Sequence, residues 1–178
     1  MCIGLAAQIR RDARILVLGS MPGSASLRQA QYYAHPRNRF WPLMEALCGV
    51  DATLPYAARL ERLSAVGIGL WDVIGRCQRR GSLDADIVRG SEVANPIAAH
   101  IATLPRLHLI ACNGAAAHAA FMRFIAPDLP PRHDLQVIAL PSTSPANASW
   151  SLPRLVAAWQ GVAAALHWDP AAPYASDC

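Results

Sequence analysis

Short apolar runs alternate with segments of helical character along this chain. Four of the runs have the length and composition of buried parallel strands. They cover residues 14–19, 67–74, 107–112 and 135–140. Helices are predicted at residues 40–47, 56–65, 97–104, 115–125 and 152–166. Strands that alternate with helices form a parallel sheet covered on both faces, so the pattern predicts an α/β fold with three αβα layers around a central four-stranded, mainly parallel sheet.

Residues with known preferences for helix ends support several of these helices. Gly49 follows the first helical segment, and glycine commonly ends helices because it readily adopts the left-handed conformation. Asn95 and Pro96 fit an N-cap followed by proline at the first helical position. Ser151 is a candidate N-cap of the last helix, with Pro153 in its first turn.

The loops that follow the strands have distinctive sequences. They read GSMPG after the first strand, WDVIGR at the end of the second, CNGAA at the end of the third and PSTSPAN after the fourth. Ligands of parallel sheets bind beyond the carboxyl ends of the strands. We therefore expect these four loops to form the binding site.

Chain length and composition limit the classes of protein that fit. With 178 residues and 53% hydrophobic content, we expect one domain over residues 1–168, followed by a loose tail at residues 169–178. No apolar run approaches the roughly 20 residues of a membrane span, and no clear signal peptide begins the chain. The expectation is a cytoplasmic monomer that binds no membrane.

Cysteine and lysine usage exclude particular kinds of chemistry. The five cysteines are scattered without C-x-x-C spacing, so we expect reduced thiols and neither a metal nor another cofactor. All 16 basic side chains are arginine. Without lysine, the chain cannot form a lysine Schiff base or a Walker-type phosphate loop.

Acidic residues are absent from two long segments, residues 13–44 and 135–168. Together with a net charge of +4, these segments suit a surface that binds a polyanion such as nucleic acid. Chance combined with burial is the alternative explanation.

Three loop segments contain candidate functional residues. Residues 32–41 combine aromatics, amides and arginines without an acid, as stacking on bases and contact with phosphates require. Within this segment we interpret Phe40 and Trp41 as core residues and Tyr33 and Asn38 as functional candidates. The other two segments are a glycine-rich turn and a proline-rich polar loop, and both also fit ordinary turn and capping chemistry. They are residues 19–23 and 141–147.

Taken together and in order, the loops resemble the uracil-DNA glycosylase superfamily over residues 14–166. The superfamily's first motif resembles G-x-N-P-G or G-x-D-P-G, and its mismatch-specific branch continues with a segment like residues 34–41. Here Met21 replaces the usual Asn or Asp of the first motif. With that change, the order GSMPG, YYAHPRNRFW, GIGLWDVI, GSLDADI, CNG and LPSTSPAN is similar to the hypoxanthine-DNA glycosylase branch.

The resemblance implies how a catalytic site is built. It assigns the catalytic amide to Asn38, which would orient a water molecule but cannot remove its proton at neutral pH. Asp72 is the competing water activator, because it ends a strand and can act as a base. Helix capping, or pairing with an arginine such as Arg76, is the alternative role of Asp72.

The resemblance also implies base-binding and DNA-binding residues. Tyr33 would stack on the target base, backbone groups at Ser20 and Met21 would bind its edge, and His35 would contact the base or a phosphate. Asn113 would recognise the base or, alternatively, cap the following helix. The residues implied in contacts with DNA are Gly23, Arg37, Arg39, Ser142, Thr143, Ser144, Ala146 and Asn147.

Ala146 and Asn147 lie where the family inserts a wedge into the duplex. A small Ala at this position implies weak plugging, so other residues would fill the gap. The function implied by the resemblance is monofunctional hydrolysis of the N-glycosidic bond of a deaminated base, hypoxanthine or uracil, flipped out of DNA. The alternatives are a non-catalytic nucleic-acid-binding module and an α/β hydrolase that acts on free nucleosides.

Overall fold

The computed structural model describes residues 1–168, so the tail predicted at residues 169–178 lies outside the described residues. The strands are β1 (Cys2–Ile3), β2 (Ile15–Gly19), β3 (Ile68–Asp72), β4 (Ile74–Cys77), β5 (Val93–Ala94), β6 (Leu109–Asn113) and β7 (Gln136–Leu140). The helices are α1 (Ser24–Gln29), α2 (Phe40–Cys48), α3 (Tyr56–Ala65), α4 (Ile97–Ile101), α5 (Ala115–Phe124), α6 (Leu152–Ala158) and α7 (Gln160–His167).

The central sheet has four parallel strands in the order β3-β2-β6-β7. One face packs against α2, α3, α6 and α7 around a core that includes Phe40 and Trp159. The other face packs against α4 and α5 around a core that includes Phe121 and Ile97. The predicted three-layer α/β fold is confirmed, because hydrophobic strands covered on both faces must be flanked by two helical layers.

The second apolar run forms two strands rather than one. The chain leaves the central sheet after Asp72, and β4 pairs instead with β1 and β5 in a small antiparallel sheet. Hydrogen bonds from Val73 N to the Gly19 carbonyl and from Ile74 N to the Ser20 carbonyl, both 2.9 Å, hold this crossing point against β2. An apolar run predicts burial, whereas the change of sheet depends on partners that are distant in sequence.

Two of the predicted helices differ in the structure. The predicted helix at residues 97–104 ends at Ile101, and Asn95 does not cap it, because its Nδ2 donates to the Asp72 carbonyl over 2.8 Å. The predicted helix at residues 152–166 divides at Trp159, which is fully buried and whose indole N–H donates to the Pro141 carbonyl over 3.0 Å. In both cases a tertiary contact overrides local helix preference.

Helix α1 has no counterpart among the predicted elements. It is six residues long and contains one large apolar residue, Leu27, so it carries little hydrophobic periodicity. Across residues 1–168, every helix is too short or too polar to be a candidate membrane span.

Candidate functional site

A cleft of about 700 Å³ opens at the carboxyl ends of the central strands. The loops after β2, β6 and β7 contribute to its wall together with Asp72 at the end of β3, as the parallel topology requires. All the site residues predicted from sequence line the cleft, with the exception of Arg39. Those that do are Ser20, Met21, Gly23, Tyr33, His35, Arg37, Asn38, Asp72, Asn113, Ser142, Thr143, Ser144, Ala146 and Asn147.

Asp72 ends β3 in the wall of the cleft and is 4% exposed. Its Oδ1 lies over Gly19, where a Cβ would overlap it. Its Oδ2 has no hydrogen-bond partner among residues 1–168. The alternative that Asp72 pairs with Arg76 is wrong, because Arg76 is exposed and forms no ion pair with this carboxylate. Burial, followed by the charge of Asp84, raises the pKa of Asp72 to about 7.

Tyr33 has an unusual backbone conformation and a supported ring. Its φ of +56° is in the left-handed region, which costs a bulky residue on the order of 1–3 kcal/mol. Its ring stacks on Phe40, with centroids 3.9 Å apart and planes at 21°. Among residues 1–168, the buried Tyr33 hydroxyl has no hydrogen-bond partner, and burial followed by the charge of Asp72 raises its pKa. The predicted core role of Phe40 is confirmed, since it is fully buried beneath Tyr33.

The side chain of Asn38 is oriented by the start of α2. Its Oδ1 accepts the Phe40 N–H over 3.0 Å, which leaves the Nδ2 hydrogens without an acceptor among the described residues. The nearby His35 accepts the Arg37 N–H at Nδ1 over 3.1 Å. A neutral His35 therefore has its proton on Nε2, so Asn38 and His35 both offer N–H donors at the cleft.

Asn113 and Thr143 form a buried pair between the ends of β6 and β7. Asn113 Nδ2 donates to Thr143 Oγ1 over 3.0 Å, and Thr143 N donates to Asn113 Oδ1 over 2.9 Å. The cap alternative for Asn113 is wrong, since the N-terminus of α5 has no side-chain cap. Thr143 is fully buried, so its predicted contact with phosphate is corrected to a role in orienting Asn113.

The loop at residues 142–147 presents hydroxyl groups at the rim. Ser142 Oγ accepts the Ser144 N–H over 3.2 Å, and Ser144 Oγ accepts the Ala146 N–H over 3.2 Å. Each hydroxyl keeps its own hydrogen for an outside acceptor. Asn147 Nδ2 donates to the Ser142 carbonyl over 3.0 Å and closes the loop on itself.

Arg39 does not line the cleft, and its predicted contact with DNA is corrected. Its guanidinium donates to four backbone carbonyls of the facing loop, with distances of 3.4 Å to Thr143 and 3.1 Å to Asn147. The other two acceptors are the carbonyls of Ser144 and Trp150. These bonds use four of the five guanidinium N–H groups, so Arg39 ties the 142–147 loop to the start of α2.

The turn at residues 19–23 provides backbone groups rather than a polar side chain. Met21 is buried in a small cluster with Ile74 and Cys77, so it cannot orient a water molecule. Arg79 Nη2 donates to the Pro22 carbonyl over 2.6 Å and supports the turn. Gly23 lies at the start of α1.

The sequence-based prediction missed a second rim, at residues 82–84. Ser82 Oγ accepts the Ser24 N–H over 3.0 Å, and Ser20 Oγ donates to Asp84 Oδ1 over 2.7 Å, so this loop packs on the first motif. Tyr32, which was not among the predicted site residues, also lines the cleft. The GSLDAD segment was the available signal for this rim, but its place at the cleft depends on hydrogen bonds to Ser20 and Ser24, which are distant in sequence.

Metal chemistry has no obvious ligand set in the described part of the chain. Residues 1–168 contain no group of three or more His, Cys, Asp or Glu side chains that could hold an ion. Four cysteines, Cys2, Cys48, Cys77 and Cys112, are free thiols.

Comparison with known proteins agrees with this geometry. The sequence model described as Uracil DNA glycosylase superfamily matches residues 7–163. Hypoxanthine DNA glycosylase of Methanosarcina barkeri is 39% identical over 112 residues, which cover 62% of this chain and 70% of that protein. Hypoxanthine DNA glycosylase of Methanosarcina acetivorans is 37% identical over 115 residues, which cover 64% of this chain and 72% of that protein. A solution NMR structure from Methanosarcina acetivorans, given as a candidate uracil DNA glycosylase, superposes with a TM-score of 0.76 and 31% sequence identity. The match covers 93% of this chain and 98% of that chain.

Proposed function

The chain belongs to the uracil-DNA glycosylase superfamily and is a DNA glycosylase, and from that premise we propose that it hydrolyses the N-glycosidic bond of hypoxanthine or uracil flipped out of DNA. The observation that carries the proposal is one cleft that joins Tyr33, Asn38, Asp72 and Asn113 beneath a rim of hydroxyl and arginine donors. No lysine is available for a covalent imine, so the enzyme releases the base without strand cleavage through a lysine.

Base capture uses the free face of Tyr33. Phe40 covers the other face of its ring, so a base that leaves the DNA stack regains stacking on Tyr33 inside the cleft. The left-handed backbone at Tyr33 holds the ring at this position, and structural strain of this kind is concentrated at functional sites. Thr143 orients the Asn113 amide by binding one Nδ2 hydrogen and one lone pair of Oδ1. The second Nδ2 hydrogen and the second Oδ1 lone pair serve the edge of the base.

Bond cleavage builds positive charge on the sugar and negative charge on the departing base. Asn38 orients the attacking water, because its amide is anchored through Oδ1 and keeps free N–H donors. An amide is sufficient where the transition state is dissociative and the water needs little activation.

Asp72 stabilises the departing base. Its pKa of about 7 leaves a large fraction of the carboxyl neutral near pH 7, so it donates a hydrogen bond to the base without adding a second negative charge. The competing role is removal of a proton from water, which requires the ionised form. The two roles predict opposite dependences of rate on pH.

The substrate test offers duplex and single-stranded oligonucleotides that contain deoxyinosine, deoxyuridine or a G·T mismatch, together with free deoxyinosine. We expect alkali-labile abasic sites from deoxyinosine or deoxyuridine, and a reduction in single-turnover rate of about 100-fold or more in Asn38→Ala. Asn38→Asp is the matched control, because it retains an oxygen to accept the Phe40 N–H while losing the amide donors. We expect it to be as stable as the wild type and nearly as slow as Asn38→Ala.

Three results would contradict the proposal. Binding of DNA without base release would favour a non-catalytic module. Release only from free deoxyinosine would favour a nucleoside hydrolase. Full activity of Asn38→Ala would remove Asn38 from the mechanism and leave Asp72 as the water activator.

A further inference from the structure

Arg79 holds a positive charge behind the first motif. Its Nη2 donates to the Pro22 carbonyl over 2.6 Å, while Nε and Nη1 are buried and have no hydrogen-bond partner among residues 1–168. No carboxylate of the described chain forms an ion pair with this guanidinium. Buried donors without partners are costly, and a neutral donor would be enough to hold one carbonyl. Support of the turn alone does not account for the charge.

Arg79 reaches the Pro22 carbonyl from behind the wall of the cleft. Its backbone is fixed by an antiparallel bridge to Ile87. Pro22 and Gly23 line the cleft, whereas Arg79 is not among the described residues that do so. The guanidinium and the cleft therefore lie on opposite sides of the Pro22–Gly23 peptide.

This peptide carries the effect of Arg79 to the cleft. All peptide bonds in residues 1–168 are trans, and in a trans peptide the carbonyl and the following N–H point in opposite directions. Because the Pro22 carbonyl is held from behind, the Gly23 N–H points forward, and it donates to no acceptor within the described chain. The next N–H, that of Ser24, is already bonded to Ser82 Oγ. A donor that Arg79 polarises through the peptide is thus available to a ligand.

The charge of Arg79 also reaches the carboxyl group in the wall of the cleft. Burial, followed by the charge of Asp84, raises the pKa of Asp72 to about 7, and the charge of Arg79 acts in the opposite direction. Since no ion pair within residues 1–168 neutralises Arg79, its field remains available to negative charge that forms in the cleft.

We propose that Arg79 is a positioning residue for base release, because it directs the Gly23 N–H toward the departing base. Negative charge develops on that base as the glycosidic bond breaks, and donors fixed in advance stabilise such charge most effectively. In this role Arg79 acts through the Pro22–Gly23 peptide and does not itself touch the base. The inference rests on the proposed function, because it assigns a residue to one step of that reaction.

The test compares wild type, Arg79→Met and Arg79→Lys, with Arg76→Met as the matched control. Arg76 is exposed, precedes Arg79 by three residues and is not among the residues that line the cleft. Methionine keeps a long apolar stem but removes the charge and the donors. Lysine keeps the charge without the planar fork of the guanidinium, and it provides the comparison if Arg79→Met does not fold.

One readout is the single-turnover rate on oligonucleotides that contain deoxyuridine or 5-fluorodeoxyuridine. Fluorine withdraws electrons, so 5-fluorouracil leaves more readily than uracil and depends less on stabilisation of its negative charge. The other readout is the amide proton shift of Gly23 in ¹⁵N-labelled protein titrated with free uracil or hypoxanthine. This second measurement needs no base release.

We expect Arg79→Met to slow the release of uracil about 100-fold and that of 5-fluorouracil only about tenfold. The Gly23 amide proton should move downfield with bound base in wild type and Arg76→Met, but not in Arg79→Met. Arg79→Lys should lie between wild type and Arg79→Met in both readouts.

Equal loss of rate with both leaving groups would overturn the inference, because it would indicate a contact with phosphate or a purely structural role. Equal Gly23 shifts in wild type and Arg79→Met would also overturn it. A wild type whose Gly23 amide responds to free base, but which releases no base from DNA, would contradict the proposed function alone. The comparison of shifts would then still decide the role of Arg79.

Discussion

At the scale of single residues, Asp72 determines how the cleft can work. A buried carboxylate without an ion pair is costly unless its pKa rises so that it can become neutral. Gly19 makes this position possible, because any larger residue there would overlap Asp72 Oδ1. Carboxyl groups held in such surroundings are frequent in catalytic sites.

The dependence of rate on pH tests the role proposed for Asp72. If its neutral form donates to the departing base, the single-turnover rate is highest below pH 7 and falls about tenfold per unit at higher pH, because the folded-state pKa is about 7. Asp72→Asn keeps an N–H donor, so it should stay active and lose this decline, whereas Asp72→Ala should be slow throughout. A wild-type rate that instead rises through pH 7 would show that the carboxylate removes a proton from water.

At the scale of elements, the site depends on how α2 is joined to the loop after β7. The two prolines of residues 141–147 suggest a rigid loop, and its position depends on Arg39, more than 100 residues earlier in the chain. A guanidinium can satisfy several carbonyls in one plane, which the ammonium of a lysine cannot reproduce. The arginine-rich segment therefore contains both a structural arginine and, in Arg37, an exposed one.

Arg39→Ala and Arg37→Ala should have distinct effects. Arg39→Ala leaves the Trp150 carbonyl without a donor among the described residues and removes one of two donors from the carbonyls of Thr143, Ser144 and Asn147. We therefore expect a loss of about 1–3 kcal/mol in the free energy of unfolding and faster amide exchange at residues 144–147. Arg37→Ala should leave exchange unchanged, weaken DNA binding and reduce the slope of log K against log salt by about 1. Unchanged exchange in Arg39→Ala would disprove the clamp, and an unchanged slope in Arg37→Ala would remove Arg37 from the DNA-binding surface.

At the scale of the whole molecule, strand order determines which loops face each other. Because β3 and β7 are the two edges of the sheet, Asp72 at the end of β3 and the loop after β7 reach the cleft from different edges, while β2 and β6 carry Gly19 and Asn113 between them. Burial of the strand ends then sets the electrostatic environment of Asp72. The cost of that burial should be visible in the stability of the entire fold.

Global stability should decline as pH rises from about 4 to about 7. The pKa of Asp72 is near 3.8 when unfolded and about 7 when folded, so between these values the folded protein holds a proton that the unfolded chain has lost. Asp72→Asn does not titrate, so it lacks this pH-dependent loss of stability. The unfolding free energy of the variant minus that of wild type should therefore rise by up to roughly 4 kcal/mol between pH 4 and pH 8.

Denaturant unfolding at several pH values measures this difference. Asp51→Asn is the control, because it should show the opposite dependence on pH. Hydrogen bonds from Thr53 lower the pKa of Asp51, so the stability that ionised Asp51 contributes is lost as pH falls. A difference between wild type and Asp72→Asn that does not change with pH would mean that the carboxyl is not held in its shifted state.

Local pattern alone determined the layers of this fold and most of its site. Apolar runs gave the four central strands, Gly49 gave the end of α2, and the polar strand-end loops gave the residues that line the cleft. These features depend on hydrophobic burial and backbone preferences, which act over a few residues and can be read from neighbouring positions. The sequence of residues 32–41 likewise separated Phe40, a core residue, from Tyr33, which lines the cleft.

The tertiary structure alone decided what individual polar side chains do. Sequence could not separate Arg39 from Arg37, Thr143 from Ser144, or a paired Asp72 from an unpaired one, because each distinction depends on a partner far along the chain. It also could not show that the 82–84 turn lines the same cleft as residues 142–147. Burial, pKa and hydrogen-bond satisfaction depend on three-dimensional neighbours, and those are set by the order of strands in the sheet.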